Sequence, residues 1–223
     1  MVHFLRCVLA EWALVRPRLV RTRFGPCLLL LGVALVWLGH HGADPLAVAL
    51  HAGALGSVVG AAFAIGSAAD RAALAIALGH PTTPLALVTG RWLAAVIPAF
   101  GLVVACGLAV GWRTPAAVAG LVAAGAVAGC ALTAVLLAGT GAALALFICM
   151  ALAGALPPEA IVSVADPGVA RLAVASALEL GPALWRYREV ATGDAGAVLH
   201  AAAWAALGVV LASGVVRRRV GGL

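Results

Sequence analysis

The side chains best able to hold a metal or attack a substrate are six histidines and five cysteines, and their spacing argues against both uses. His40 and His41 are adjacent, so on a regular helix their rings diverge by about 100°. His51 and His200 lie inside long apolar runs, where an ionisable group is a functional candidate by default. Neither has a carboxylate or cysteine at ligand spacing, so the reading is interface anchoring or cavity lining, with no metal site. The cysteines (Cys7, Cys27, Cys106, Cys130, Cys149) are isolated, without a CxxC pair, and read as small buried apolar groups. No acid sits within a run to orient His51 or His200, which leaves no nucleophilic triad. Gly139-Thr140-Gly141 is too short to cradle a phosphate, and no GK[ST] follows any glycine loop. The chain is therefore expected to carry no catalytic residues and no cofactor of its own.

One segment is built differently. Residues 67–83 read SAADRAALAIALGHPTT, with Ser67 and Asp70 as a helix-start signal. Leu74 and Leu78 follow one turn apart in line with Asp70, Gly79 is placed to cap the end, and Pro81 forbids continuation. Thr83-Pro84 then opens a new helix, threonine as N-cap and proline at the first helical position. This predicts a short, sharply bounded helix between two long apolar ones. Asp70, Arg71 and His80 are its polar side chains, and Leu74, Ala75 and Leu78 are apolar.

The elements that position this segment follow from composition. Apolar residues make up 65% of the 223-residue chain and charged residues only 10%, and mean hydropathy is +1.15. That inventory cannot cover a water-soluble surface, for which charged residues run near about 25%. Six apolar runs, at about 24–39, 45–66, 84–111, 115–138, 141–156 and 195–216, predict an all-α polytopic membrane protein with six transmembrane helices in one domain, 1–223. Residues 1–23 hold an amphipathic helix with Leu5, Val8, Leu9, Trp12 and Val15 on one face and Arg6 and Glu11 off it, ending before Pro17 and followed by a basic block. Residues 157–194 are expected to hold two short re-entrant or interfacial helices on the outer side, 158–165 and 169–180. Gly56 with Gly60, and Gly125 with Gly129, are GxxxG pairs that permit close helix packing.

Arginine placement orients the bundle. With six spans and both termini inside, the cytoplasmic side carries ten arginines against two acids, and the outer side four against six. This makes the chain a multi-pass protein of the cytoplasmic membrane. The high isoelectric point, about 9.9, reflects these span-flanking arginines and not a nucleic-acid surface.

Asp70-Arg71, the apolar helix Leu74 to Leu78, the turn Pro81-Thr82-Thr83, and Gly90-Arg91 opening the next span resemble the coupling-helix region of the membrane-spanning subunits of type-2 ABC exporters. The N-terminal amphipathic helix, the outer helices and the basic C-terminus extend the resemblance over nearly the whole chain. Ala68-Ala69 and Ala72-Ala73 depart from the commoner family text at those positions. The resemblance implies a permease that homodimerises within membrane lipid and docks a separate ABC ATPase through Asp70, Arg71, Leu74, Ala75, Leu78 and His80, with ATP and Mg on that partner. Spans lined by Gly, Ala, Thr and Leu suit an amphipathic or lipid-like substrate. A permease of the haem-exporter type shares this architecture, and a membrane assembly protein without transport is the alternative from another class.

Overall fold

Proline and glycine punctuation sets the element ends. A computed structural model of the protein describes residues 2–21, 24–65, 82–152 and 181–220, and nearly all of these are helical. In chain order the helices are α1 (Val2–Arg21), α2 (Phe24–His40), α3 (Pro45–Ile65), α4 (Pro84–Val110), α5 (Thr114–Ala138), α6 (Thr140–Leu152), α7 (Leu184–Tyr187) and α8 (Ala195–Val220), with a 3-10 turn at Arg188–Thr192. Asp44 precedes Pro45 and accepts from the Leu46 amide at 3.1 Å, starting α3. Thr83 caps α4, its hydroxyl accepting from the Ala86 amide at 3.2 Å, with Pro84 next, as the sequence predicts. Gly111 ends α4 in the left-handed region at φ 77°, and the chain re-enters the bundle three residues later. Asp194 caps α8 by accepting from the amides of Gly196 and Ala197 at 3.1 and 2.9 Å. Those two bonds hold its carboxyl below the usual carboxylate range.

Among the described residues four helices are long and apolar enough to cross a membrane, namely α3, α4, α5 and α8. Two further apolar stretches, Phe24–His40 and Thr140–Ala151, are shorter. Seventeen residues of α2 rise about 26 Å, a little under the hydrocarbon thickness of about 30 Å. The two outer helices expected at 158–165 and 169–180 lie outside the described residues.

α3 is the centre of the bundle. It packs on α5, α4, α2 and α6, and is buried along nearly its whole length. Because lipid tails are as apolar as the side chains, close backbone approach must supply the packing energy. Glycines mark those approaches. A side-chain carbon at Gly60 would sit 2.7 Å from the Ala95 carbonyl oxygen on α4, and one at Gly56 would meet the Ala99 backbone at 3.2 Å. Gly129 faces the Ala205 carbonyl of α8 at 2.8 Å, whereas Gly125 has only the Trp92 ring, at 3.6 Å. Gly125 contributes through its carbonyl instead, which accepts from Trp92 Nε1 at 3.0 Å. The tightest crossings involve glycines outside these pairs. Gly53 lies against the Gly120 carbonyl, and Gly208 against the backbone of Gly129. Thr133 reinforces the last crossing, its hydroxyl donating to the Gly208 carbonyl at 2.8 Å.

α1 departs from its expected form in two ways. The helix runs on through Pro17 to Arg21. Its buried side is also rotated from the apolar face, since Cys7, Val8, Glu11 and Val15 are buried while Leu5 and Leu9 are more than half exposed. Against a membrane the exposed leucines lose nothing by facing lipid. The carboxylate, by contrast, needs a protein partner.

Candidate functional site

The docking residues Asp70, Arg71, Leu74, Ala75, Leu78 and His80 all fall within 66–81, outside the described residues. The flanks of that segment are described. α3 ends at Ile65 and α4 begins at Pro84. One side chain ties these two helices together. Arg91, the eighth residue of α4, donates from Nη1 to the Ala64 carbonyl at 2.6 Å and from Nη2 to Glu11 Oε2 at 3.2 Å. Ala64 is the penultimate residue of α3, so its carbonyl belongs to the last turn, whose acceptors have no helical donor. A guanidinium there satisfies the acceptor and complements the negative end of the helix.

Both members of the Arg91–Glu11 pair are buried, at 8% and 5% side-chain exposure. The approach that allows it is made by Gly90. A side chain there would meet Glu11 Cβ at 2.6 Å and the Val8 carbonyl at 2.9 Å. Around the pair, Cys7 and Val8 of α1 pack with Ala86 of α4. Val15 packs with Phe24, Ala64 and Ala94, so α1 touches α2, α3 and α4 at one end of the bundle. The sequence marks Arg91 as a flanking charge and, with Gly90, as the opening of the next span, with no partner named for it. A carboxylate 80 positions earlier on an amphipathic helix carries no local signal of the pairing.

Two of the apolar clefts on the bundle border α2. One, of about 180 Å³, lies between α2, α3 and α6 and is lined by Cys27, Val58, Val59, Ala62, Phe63, Thr140, Ala143, Leu144 and Phe147. The other, of about 500 Å³, lies between α2 and α4 and runs from Leu28 and Leu29 past Gly32, Val36 and Leu102 to Trp37 and His40. Neither contains an acid or a permanent cation, so their chemistry is the accommodation of alkyl or ring surface.

Among the described residues, His51, His200 and His41 each contact a residue one helical turn away along the chain. His51 Nδ1 lies 2.7 Å from the Ala47 carbonyl, the geometry of a donor to the preceding turn. His200 Nε2 accepts from Trp204 Nε1 at 3.2 Å, and its ring lies 5.8 Å from that of Tyr187. Tyr187 is fully buried, and burial pushes its phenol well above the ordinary range. The His41 ring stacks on Trp37 at 4.2 Å. Among the described residues no three of His, Cys, Asp and Glu gather as a metal site would require. Comparisons with protein-family models, with curated proteins and with solved structures return no match to this chain.

Proposed function

We propose that this chain is the membrane-spanning subunit of a type-2 ABC exporter, with six spans, both termini cytoplasmic, and residues 67–83 as the helix and turn on which a separate ATPase docks. Two copies of the chain would pair with two ATPases, and the substrate class is amphipathic or lipid-like. The observation that carries the reading is the treatment of the ends flanking residues 66–81. The end of α3 and the beginning of α4 are joined by Arg91, so a displacement of that segment would reach two long membrane helices at once. The apolar cleft between α2, α3 and α6 opens beside them, and its lining suits acyl chains better than ions. On this reading Asp70 and Arg71 make charge-assisted contacts with the ATPase, and Leu74 and Leu78 fill a groove on it.

Purification from native expression in mild detergent tests this. The expected product is a complex containing two permeases and two ATPase subunits. Truncating a buried interfacial charge commonly costs about 2–5 kcal/mol, a loss of about thirtyfold to several thousandfold in affinity. Arg71→Ala and Leu74→Asp should therefore insert normally but release the ATPase or uncouple its hydrolysis. Full ATPase content and normal transport in both variants would remove the docking assignment. A monodisperse monomer without any nucleotide-binding subunit would remove the permease reading itself.

A further inference from the structure

Beyond this docking role, and resting on it for its purpose, the structure assigns a positioning function to a residue pair outside residues 66–83. We propose that Glu11 and Arg91 form a clasp that fixes α1 as a brace across the end of α3 and the first turns of α4, so that both helices and α1 move as one body when the intervening segment is displaced.

Three observations carry it. First, Arg91 bonds two separate elements with two nitrogens of one rigid fork, Ala64 of α3 at 2.6 Å and Glu11 of α1 at 3.2 Å. Such a group specifies geometry as well as charge, and lysine does not reproduce it. Second, Arg91 is buried within the protein, at 8% side-chain exposure, so an unpaired charge there would be costly. A simple anchor for orientation would sit at the helix end and face water. Third, the contact is built into the backbone, because Gly90 alone leaves room for Val8 and Glu11 to seat on α4. Glu11 is turned inward with Val8 and Val15, while Leu5, Leu9 and Leu14 stay outward.

Cys7 of α1 and Ala86 of α4 share one buried cluster, which provides a direct reporter of docking. In the full chain, with Cys27, Cys106, Cys130 and Cys149 replaced by alanine, Ala86→Cys should form a disulfide with Cys7 rapidly under mild oxidation. Glu11→Gln and Arg91→Gln each leave a buried partner uncompensated, so the double variant E11M/R91M, which removes both charges at similar volume, guards against loss of folding. The expected result is cross-linking slowed at least about tenfold in E11M/R91M, with normal membrane insertion. In the purified complex the ATPase should remain bound but lose its stimulation by the permease, and Arg91→Lys should restore only part of both readouts. Cross-linking and stimulation both unchanged in E11M/R91M would overturn the clasp, as would slowed cross-linking with full stimulation. If the unmodified chain brings no ATPase, the exporter reading falls, and the cross-linking rates by themselves uphold or overturn the clasp.

Discussion

At the scale of single residues, the sharpest consequences concern buried charge and absent side chains. Removing one member of a buried ion pair leaves the other without compensation, which costs about 3–5 kcal/mol. Arg91→Gln is therefore expected to lower the thermal midpoint of the detergent-purified protein well below that of E11M/R91M, although the double variant has lost both charges. Equal midpoints would mean that the pair is solvated. The glycines make a second contrast. An added methyl at Gly60 meets the Ala95 backbone at 2.7–2.8 Å, whereas one at Gly25 meets nothing within 4 Å. Overpacking of this kind costs about 1–3 kcal/mol. Gly60→Ala should destabilise the bundle by that amount in reversible unfolding, and Gly25→Ala should be neutral or slightly stabilising.

At the scale of elements, helix starts are held by side chains that titrate differently. The Asp194 carboxylate is stabilised by two amides at the first turn of α8, so its folded pKa lies below the unfolded value of about 3.9. A depressed acid contributes stability that is fully present above the unfolded pKa and lost as pH falls through the folded one. Amide protection at Gly196 and Ala197 should accordingly hold at neutral pH and decline only below about pH 4. Asp194→Ala should abolish that pH dependence while the interior of α8 stays protected. Thr83, as an uncharged cap on α4, should show no such titration at Ala86. Across the turns, Arg188 pairs with Asp44, joining the α2–α3 connection to the 3-10 turn. Both side chains are more than a third exposed, so a double-mutant cycle should return only about 0.2–1 kcal/mol.

For the whole molecule, the decisive quantity is orientation. On the proposed exporter reading, the arginine bias of ten to four would put the α2–α3 turn and the 3-10 turn outside the cell and residues 67–83 inside. In a chain without its own cysteines, His41→Cys and Thr192→Cys, both exposed, should react with an impermeant thiol reagent in intact cells. Ala75→Cys should react only after permeabilisation. Labelling at 75 in intact cells would reverse the topology and remove the ATPase docking surface with it.

The sequence by itself determined that this is a helical membrane protein and where most helices begin and end. Apolar runs of sufficient length, and stops made of Pro45, Thr83-Pro84, the turn at 112–115 and Gly139, act over only a few residues, and such local effects are legible in one dimension. It also marked Gly56, Gly60, Gly125 and Gly129 as points where backbones could meet, and Gly125 meets only the Trp92 ring. It did not show which face of α1 seats on the protein, because a lipid solvent rewards exposed Leu5 and Leu9 as readily as buried ones and so erases the usual inside-outside pattern. Nor did it show that Arg91 answers Glu11 and Ala64, or that Gly53 meets Gly120 and Gly208 meets Gly129. Those contacts join positions tens of residues apart, and only the packing of whole helices brings their backbones close enough for a missing side chain or a buried charge to matter.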